Sequence, residues 1–277
     1  MSRVLCVGNH PDAADMLVAS DLLADHEIAT CIGDIEAFGR LRHRAVDVIV
    51  INRGAAMADD LGLIRELSAI RPGVRFILLS SSATHEDLIA ALRAHVFACF
   101  TAPFEVSSII DMVRAALNVS EWRDGIEVVS GLPNWLTLKV SCRLVTAERL
   151  VRFMTEHQAA LPDHDRDMLM VAFREMLLNA MEHGAGFDPE QVIEVTAAKT
   201  GRAIVYHFRD PGSGFDRADL AHAARSATPE DVLANALTRA ESGRRPGGFG
   251  MLITRQVADE LVYNERGNEV LLIKHLS

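Results

Sequence analysis

Short apolar runs alternate with amphipathic stretches over roughly the first 118 residues. The apolar runs, which predict strands, are Val4–Val7, Glu27–Cys31, Asp47–Ile51, Arg75–Leu79 and Ala98–Phe100. The stretches between them, which predict helices, are Asp12–Leu23, Ile35–Leu41, Asp60–Ala69, Glu86–Ala94 and Val106–Leu117. Continuously apolar strands are typical of a parallel sheet that helices cover on both faces. The pattern therefore predicts an α/β domain of five βα units over residues 1–118, a doubly wound parallel sheet.

The pattern changes after residue 118. Residues 119–134 are polar, contain two glycines and a proline, and show no sustained period, so they predict an inter-domain linker. Alternation at Leu136, Leu138 and Val140 then predicts a half-buried strand. The alternation opens a second domain, residues 135–277.

Helices and strands also alternate through the second domain. Thr146 is expected to cap its first helix, and a second helix is expected from about His164 to His183. Two strands, Val192–Ala197 and Ala203–Phe208, flank the turn sequence KTGR. Residues 216–242 are expected to be helical in pieces. A helix from Met251 to Leu261 and a hairpin of strands 261–263 and 270–276, turning at Arg266 and Gly267, complete the α/β sandwich.

Composition narrows the class of protein. A chain of 277 residues with 49% hydrophobic content is long enough for two cores. Its net charge of -10, with both signs interspersed, argues against a nucleic-acid partner. No apolar run approaches the ~20 residues of a membrane span, and the first residues reach a polar turn too early for a signal peptide. We therefore expect a cytoplasmic protein. The four cysteines lie far apart, which predicts neither a zinc site nor a disulfide framework.

Three polar motifs stand out in the second domain. In FREMLLNAMEHG, a polar residue at every fourth position puts Glu175, Asn179 and His183 on one helical face, where a carboxylate and an amide could hold a magnesium ion. In DPGSGF, Asp210 follows a strand, and Gly212 and Gly214 let the backbone approach a ligand. An adenine amino group is a natural partner for that carboxylate.

The third motif, PGGFGMLI, contains Gly247, Gly248 and Gly250 and opens a helical run whose free N–H groups suit a phosphate chain. Arg245 precedes these glycines and could reach a terminal phosphate, and His183 could contact phosphate or metal-bound water. Each motif alone also fits a solvated helix face, an ordinary turn or a loop before a helix. Their order along the chain predicts an ATP pocket.

The first domain resembles the response-regulator receiver domain, which its βα pattern matches over nearly the whole length and which the run FTAPF closes. The positions that carry receiver chemistry are mostly changed. The acidic pair that holds magnesium aligns with Gly8 and Asn9, and the phosphate-accepting aspartate aligns with Asn52. The lysine position is Ala102, and Ser80 alone retains its hydroxyl. The resemblance therefore implies a receiver domain that binds or dimerises without accepting phosphate.

Residues 136–276 resemble the ATPase domain shared by gyrase, histidine kinases and anti-sigma-factor serine kinases, known as the GHKL or histidine-kinase-like type. The motifs are most similar to those of the anti-sigma-factor kinases, which phosphorylate a serine or threonine of a small antagonist protein. The resemblance implies that Asn179 ligates Mg²⁺, that Asp210 recognises the adenine of ATP, and that Glu175 is the general base. The glycines at 212, 214, 248 and 250 would shape the nucleotide walls.

The resemblance implies a signalling regulator in a partner-switching pathway. Its expected partners are a small anti-sigma-antagonist-like protein and a sigma factor, with no membrane; a homodimer is open. Two alternatives to an ATP-dependent serine/threonine protein kinase remain. One is a non-catalytic ATP-binding scaffold that sequesters a partner, and the other is an atypical histidine kinase.

Overall fold

A computed structural model describes residues 3–8, 17, 20, 23–43, 45–214 and 249–276. The chain divides into two compact units. The first comprises Met1–Glu127 with Arg152–His157, and the second comprises Val128–Val151 with Gln158–Ser277. Most of the predicted helix Asp12–Leu23, and all of the polar segment 216–242, lie outside the described residues.

The first unit is built on a five-stranded parallel sheet with the strand order β2-β1-β3-β4-β5. Its strands are β1 (Arg3–Val7), β2 (Glu27–Cys31), β3 (Val48–Ile51), β4 (Arg75–Ser80) and β5 (Ala98–Thr101). Its described helices are α1 (Asp34–His43), α2 (Met57–Ile70), α3 (His85–Arg93) and α4 (Val106–Leu117). This strand order is that of the flavodoxin-like folds, to which receivers belong. The predicted doubly wound parallel sheet is confirmed.

Burial explains why these segments form a sheet between helices. All four residues of β3 are buried, as expected for a strand covered on both faces. A capping box begins α3, because the Thr84 side chain accepts from the Asp87 N–H and the Asp87 carboxylate accepts from the Thr84 N–H. Ile109, Ile110 and Val113 give α4 its buried stripe.

A close backbone approach marks the carboxyl end of this sheet. Gly8 has a φ of 145°, and a Cβ there would lie 1.9 Å from the carbonyl oxygen of Asn52. The Gly8 N–H donates to Cys31 O at 3.0 Å, and the Asn52 N–H donates to Val7 O at 2.8 Å. The sequence has glycine at position 8, and no side chain fits there in this backbone. An acidic residue therefore could not occupy this position unless the backbone moved.

An arginine lies between two carboxylates beside that approach. Arg53 pairs with Asp60 at 2.8 Å and with Asp34 at 2.5 Å. The Asp60 side chain is 1% exposed, and burial raises the pKa of its carboxyl despite the opposing effect of Arg53. The pair therefore contributes to stability chiefly by keeping a buried charge compensated.

The second unit is built on a six-stranded sheet with the order β10-β11-β9-β8-β7-β6. Its strands are β6 (Ile126–Leu132), β7 (Trp135–Ser141), β8 (Val192–Lys199), β9 (Ala203–Arg209), β10 (Glu260–Tyr263) and β11 (Glu269–His275). Its helical segments are α5 (Leu144–His157), of which the residues up to Val151 belong to this unit, α6 (Asp163–Asn179), a π-helical turn (Ala180–Gly184) and α7 (Phe249–Val257). The pairs from β7 to β10 are antiparallel. This unit is α/β, as predicted.

One face of this sheet carries the core. The Phe173 ring of α6 lies 4.8 Å from that of Tyr206 and 5.2 Å from that of Phe208, measured between centroids. Leu138, Val195 and Leu272 are also buried. The alternation of apolar positions in the sequence marked these strands because the described helix α6 packs against one face of the sheet.

Four local predictions need correction. Residues 126–132, predicted to be linker, form β6. Thr146 is buried inside α5 and does not cap it. The helix that carries the first motif ends at Asn179, where a π-helical turn begins. The last helix ends at Val257 rather than Leu261, because Leu261 pairs with Leu272 in the sheet.

All four cysteines, Cys6, Cys31, Cys99 and Cys142, are buried and free. Burial raises the pKa of the Cys31 and Cys142 thiols to about 11. The thiols are therefore protonated at neutral pH and unreactive.

Candidate functional site

The last turns of α6 hold the first two motif residues. Glu175 and Asn179 are four residues apart in one α-helix, so their side chains share a face, as predicted. The Glu175 side chain is 17% exposed and lies 3.7 Å from an Arg174 nitrogen. Arg174 also pairs with Glu148 at 2.5 Å. A carboxylate and an amide thus stand one turn apart at the end of this helix.

The third residue of the first motif lies in the π-helical turn that follows α6. His183 lies in this turn and is exposed, whereas Glu175 and Asn179 are half-buried. The wider turn has a different angular spacing from an α-helix, and the role of His183 stays a prediction. The Phe187 N–H donates to Met181 O at 2.8 Å and closes the turn. Such π segments are frequent at functional sites.

Gly184, at the end of the turn, lies directly against Asp210. A Cβ at position 184 would come within 2.2 Å of the Asp210 Cγ. Asp210 follows β9, as predicted. The π-helical turn therefore brings the backbone of the first motif against the carboxylate of the second, two elements that the sequence separates by 26 residues.

Hydrogen bonds hold Asp210 on two sides. Its N–H donates to Asn268 O at 3.0 Å, and Asn268 Nδ2 donates to Asp210 O at 3.1 Å. Its Oδ1 accepts from the Gly212 N–H at 2.8 Å. Burial raises the pKa of the Asp210 carboxyl, although the Gly212 N–H and Arg266 favour the ionised form. The result is a half-buried carboxylate whose orientation is set by the backbone around it.

The two glycines after Asp210 are required by close packing. A Cβ at Gly212 would lie 2.8 Å from both Asp210 Oδ1 and Gly184 O. Gly214 has a φ of 81°, and a Cβ there would lie 1.8 Å from Arg266 O. Loop 210–214 therefore fits between the π-helical turn and the β10–β11 turn because positions 212 and 214 carry no side chain.

Sequence reasoning missed the contribution of the terminal hairpin. It predicted a turn at Arg266 and Gly267 but not the contact of that turn with Asp210. Asn264 Oδ1 accepts from the N–H groups of Gly267 and Asn268, at 2.7 and 3.1 Å. Arg266 Nε donates to Ser213 O at 3.2 Å. Asparagine is common in hairpin turns for purely local reasons. Its presence in the sequence therefore did not indicate that this turn contacts Asp210.

The third motif is only partly described. Arg245, Gly247 and Gly248 lie outside the described residues. Gly250 is in the first turn of α7, which begins at Phe249 and packs against α6. The helix therefore begins at Phe249, two residues before the predicted start at Met251, and includes the last of the three glycines. The roles assigned to the motif residues stay predictions.

A magnesium ion would rest on few protein groups here. Among the described residues no three His, Cys, Asp or Glu side chains form a metal cluster. Mg²⁺ in nucleotide sites commonly takes one or two protein ligands and completes its shell with phosphate oxygens and water. A single amide oxygen from Asn179 is compatible with that manner of binding.

Parts of this chain are similar to known proteins. Residues 140–274 match the family described as "Histidine kinase-like ATPase domain". The chain is 24% identical over 150 residues to the transcriptional regulatory protein GlrR of Escherichia coli K12, covering 52% of this chain and 33% of that protein. It is 26% identical over 115 residues to the transcriptional regulatory protein PrrA of Mycobacterium tuberculosis, covering 42% and 49% respectively.

The chain thus spans between a third and a half of the length of the curated relatives it matches. Among solved structures, a response regulator from Thermotoga maritima aligns with a TM-score of 0.40 and 17% identity, covering 43% of this chain and 99% of that one. No helix in the described part of the chain has the length and hydropathy needed to cross a membrane.

The strand order of the first unit, the geometry around Asp210 and the family match lead to one conclusion. The chain joins a domain of the receiver fold to a histidine kinase-like ATPase domain at residues 140–274.

Proposed function

We propose that this protein is an ATP-dependent serine/threonine protein kinase of the anti-sigma-factor type. It phosphorylates a small antagonist protein and, by exchanging partners, holds or releases a sigma factor. The single observation that carries the proposal is the packing of Gly184, Asp210 and Gly212. These three residues build a fixed carboxylate beside a backbone without side chains, which suits the edge of a purine ring.

The adenine end of the nucleotide is assigned to Asp210. Its Oδ1 is engaged by the Gly212 N–H, so the second oxygen would accept from the adenine amino group. A guanine presents a carbonyl oxygen at the same place and would be repelled. A site built around one such hydrogen bond discriminates strongly against a ligand that lacks the donor.

The phosphate end is assigned to the start of α7 and to α6. The N–H groups at the start of α7 would bind phosphate oxygens, and Asn179 would ligate Mg²⁺. ATP supplies the phosphoryl group that is transferred. Glu175 would orient the substrate hydroxyl and accept its proton, while positioning and charge neutralisation supply most of the rate enhancement.

The receiver-like unit is proposed to regulate by binding rather than by phosphorylation. Asn52 replaces the nucleophilic aspartate, and the backbone at Gly8 leaves no room for a metal-binding acid. An amide is too weak a nucleophile to form an acyl phosphate. Signal input would therefore reach this unit through a partner protein, and we place the protein in the cytoplasm.

Transfer of label from [γ-³²P]ATP tests the proposal. The purified chain is incubated with Mg²⁺ and with the small antagonist proteins encoded in the same genome. We expect acid-stable label on a serine or threonine of one of them, and no label with Glu175→Gln, which keeps the shape of the side chain. ATP binding without transfer to any of them would instead support the non-catalytic scaffold. Acid-labile label on histidine would support the atypical histidine kinase.

A further inference from the structure

An ion pair holds the arginine that lies beside Glu175. Arg174 Nε donates to Oε1 and Oε2 of Glu148 at 3.1 and 3.4 Å, and Arg174 Nη2 donates to Glu148 Oε1 at 2.5 Å. Glu148 belongs to α5 and Arg174 to α6, both within the second unit. The pair is therefore a contact between two helices that fixes one edge of the guanidinium on Glu148.

The remaining nitrogen of the same guanidinium lies near Glu175. Arg174 Nη1 is 3.7 Å from Glu175 Oε1. This distance allows an ion pair, but it exceeds the range of about 2.7–3.2 Å for an N–H···O hydrogen bond. Adjacent residues of a helix do not face each other. The position of the guanidinium beside Glu175 therefore depends on its hydrogen bonds to Glu148 and not on α6 alone.

The Glu148–Arg174 pair is too exposed to act chiefly on stability. Its side chains are 37% and 38% exposed, whereas the Glu175 side chain is 17% exposed. Exposed ion pairs contribute little to the free energy of unfolding, because water and salt screen them. The hydrogen bonds to Glu148 also raise the pKa of the Arg174 guanidinium. A permanent positive charge is thus held next to a more buried carboxylate.

The distance between this charge and Glu175 matters for a general base. A carboxylate that accepts hydrogen bonds from a guanidinium is stabilised in its ionised form, so it is a weaker acceptor for the proton of a hydroxyl group. A guanidinium can also occupy both oxygens of a carboxylate with two parallel hydrogen bonds. A movement of about 1 Å would bring Arg174 Nη1 within hydrogen-bond range of Glu175. Proton transfer to Glu175 therefore requires that Arg174 be held back.

We propose that Glu148 is a positioning residue for phosphoryl transfer, because its hold on Arg174 keeps the guanidinium from binding Glu175 directly. This inference rests on the proposed role of Glu175 as general base. In the transfer step, the substrate hydroxyl oxygen forms a bond to the γ-phosphorus, and the bond from that phosphorus to the bridging oxygen of ADP breaks. Glu175 takes the hydroxyl proton. Glu148 acts on this step through Arg174.

Steady-state hydrolysis of MgATP by the full chain tests the inference, with water in place of the substrate hydroxyl. Glu148→Gln removes the charge that holds Arg174, and we expect kcat to fall about tenfold with KM for MgATP unchanged. The double variant Glu148→Gln/Arg174→Met also lacks the guanidinium that would bind Glu175, so it should recover most of the lost rate. A pair that only stabilised the fold would show no recovery, because the losses from two truncations would accumulate.

A matched control breaks another ion pair of the same helix. Arg166 pairs with Asp163 at 2.9 Å in the first turn of α6, and the Asp163 side chain is 87% exposed. Asp163→Asn removes one carboxylate charge, as Glu148→Gln does, but leaves the contact between Glu148 and Arg174 in place. It should leave both kcat and KM unchanged.

Urea denaturation gives a second readout that needs no activity. Arg174→Met and Glu175→Gln are made singly and together, in the wild type and in the Glu148→Gln variant, which gives two double-mutant cycles. The coupling between Arg174 and Glu175 is the non-additive part of the shift in the urea midpoint. We expect this coupling to be larger in the Glu148→Gln background, because Arg174 then binds Glu175 directly.

The two readouts separate this inference from the proposed kinase activity. A coupling that does not grow, or a double variant Glu148→Gln/Arg174→Met that hydrolyses MgATP no faster than Glu148→Gln, would overturn the inference. A coupling that grows in a chain that neither hydrolyses MgATP nor transfers label would support the hold of Glu148 on Arg174 and refute only the kinase proposal.

Discussion

The backbone of Gly184 lies against the carboxylate of Asp210, with so little space between them that a Cβ at 184 would come within 2.2 Å of Cγ. This contact joins the end of the motif helix to the end of β9. It makes Gly184 a positioning residue, because the orientation of the carboxylate depends on the absence of a side chain there.

Gly184→Ala should therefore weaken ATP binding. The added methyl group must displace Asp210 or the π-helical turn, and we expect a loss of affinity of roughly ten- to a hundredfold, about 1.4 to 2.7 kcal/mol. Calorimetric titration with MgATP measures it. Gly201→Ala is the matched control, since a Cβ there meets no atom within 4 Å. Equal affinities for the two variants would show that the contact does not set the nucleotide site.

Asp210→Asn should change stability with a defined pH dependence. Because burial raises the pKa of Asp210 in the folded state, the folded protein holds this proton more tightly than the unfolded chain does. That contribution to stability is present below the unfolded pKa and is lost as pH rises through the folded pKa. Asparagine carries no charge to desolvate.

The Asn variant should accordingly melt at a higher temperature than the wild type near neutral pH, with the difference shrinking toward about pH 4. Thermal denaturation at a series of pH values checks this. A wild type that gains stability relative to the variant as pH rises would show that the hydrogen bond from Gly212 outweighs burial.

Asn268→Ala should loosen the backbone that carries the Asp210 carboxylate. It removes the bond from Nδ2 to Asp210 O and leaves that oxygen without this donor. We expect a loss of about 1–2 kcal/mol in the free energy of unfolding and a parallel loss of ATP affinity. Urea denaturation and titration measure the two effects. Asn264→Ala disturbs the same turn but does not remove the Asn268 amide that donates to Asp210 O. It should therefore lower stability with a smaller effect on ATP affinity.

In the receiver-like unit, Gly8→Ala should be severely destabilising. A Cβ would lie 1.9 Å from Asn52 O, and φ at this position is 145°. We expect a loss of about 3 kcal/mol or more, measured by urea denaturation. Gly39→Ala is the control, because its Cβ meets no atom within 4 Å and it lies within α1. That change should stabilise the protein by about 0.5–1 kcal/mol.

Because no side chain fits at position 8, we predict that one substitution does not restore phosphorylation of the receiver-like unit. Asn52→Asp regains the nucleophile but not the acidic pair that would hold magnesium, so it should take no phosphoryl group from acetyl phosphate. Mass spectrometry of the treated variant checks this. A stable phospho-form of the wild type would refute our view of the unit as a receiver without phosphoacceptor chemistry.

The elements that were predictable from sequence are those whose burial repeats locally. The run VIVI predicts a strand covered on both faces. The alternation of Leu136, Leu138 and Val140 predicts a strand covered on a single face. The place of Asp210 at a strand end followed from the same pattern. Each of these features depends on neighbours within a few residues.

The elements that were missed depend on distant contacts. The π-helical turn is tied to the space that Gly184 leaves for Asp210, and Asn268 binds Asp210 from 58 residues away. Strand β6 was not predicted because its apolar residues are not buried in a regular pattern. Of these residues only Ile126 is fully buried, while Val129 and Leu132 are exposed. The residue pattern of a single sequence does not show which distant residues contact each other.

Calorimetric titration of the purified chain with MgATP and MgGTP, for the wild type and for Asp210→Asn, tests the central claim most directly. The account predicts micromolar binding of ATP, binding of GTP at least about a hundredfold weaker, and loss of ATP binding in the variant. Equal binding of the two nucleotides, or ATP binding that survives Asp210→Asn, would contradict the assignment of this carboxylate to adenine.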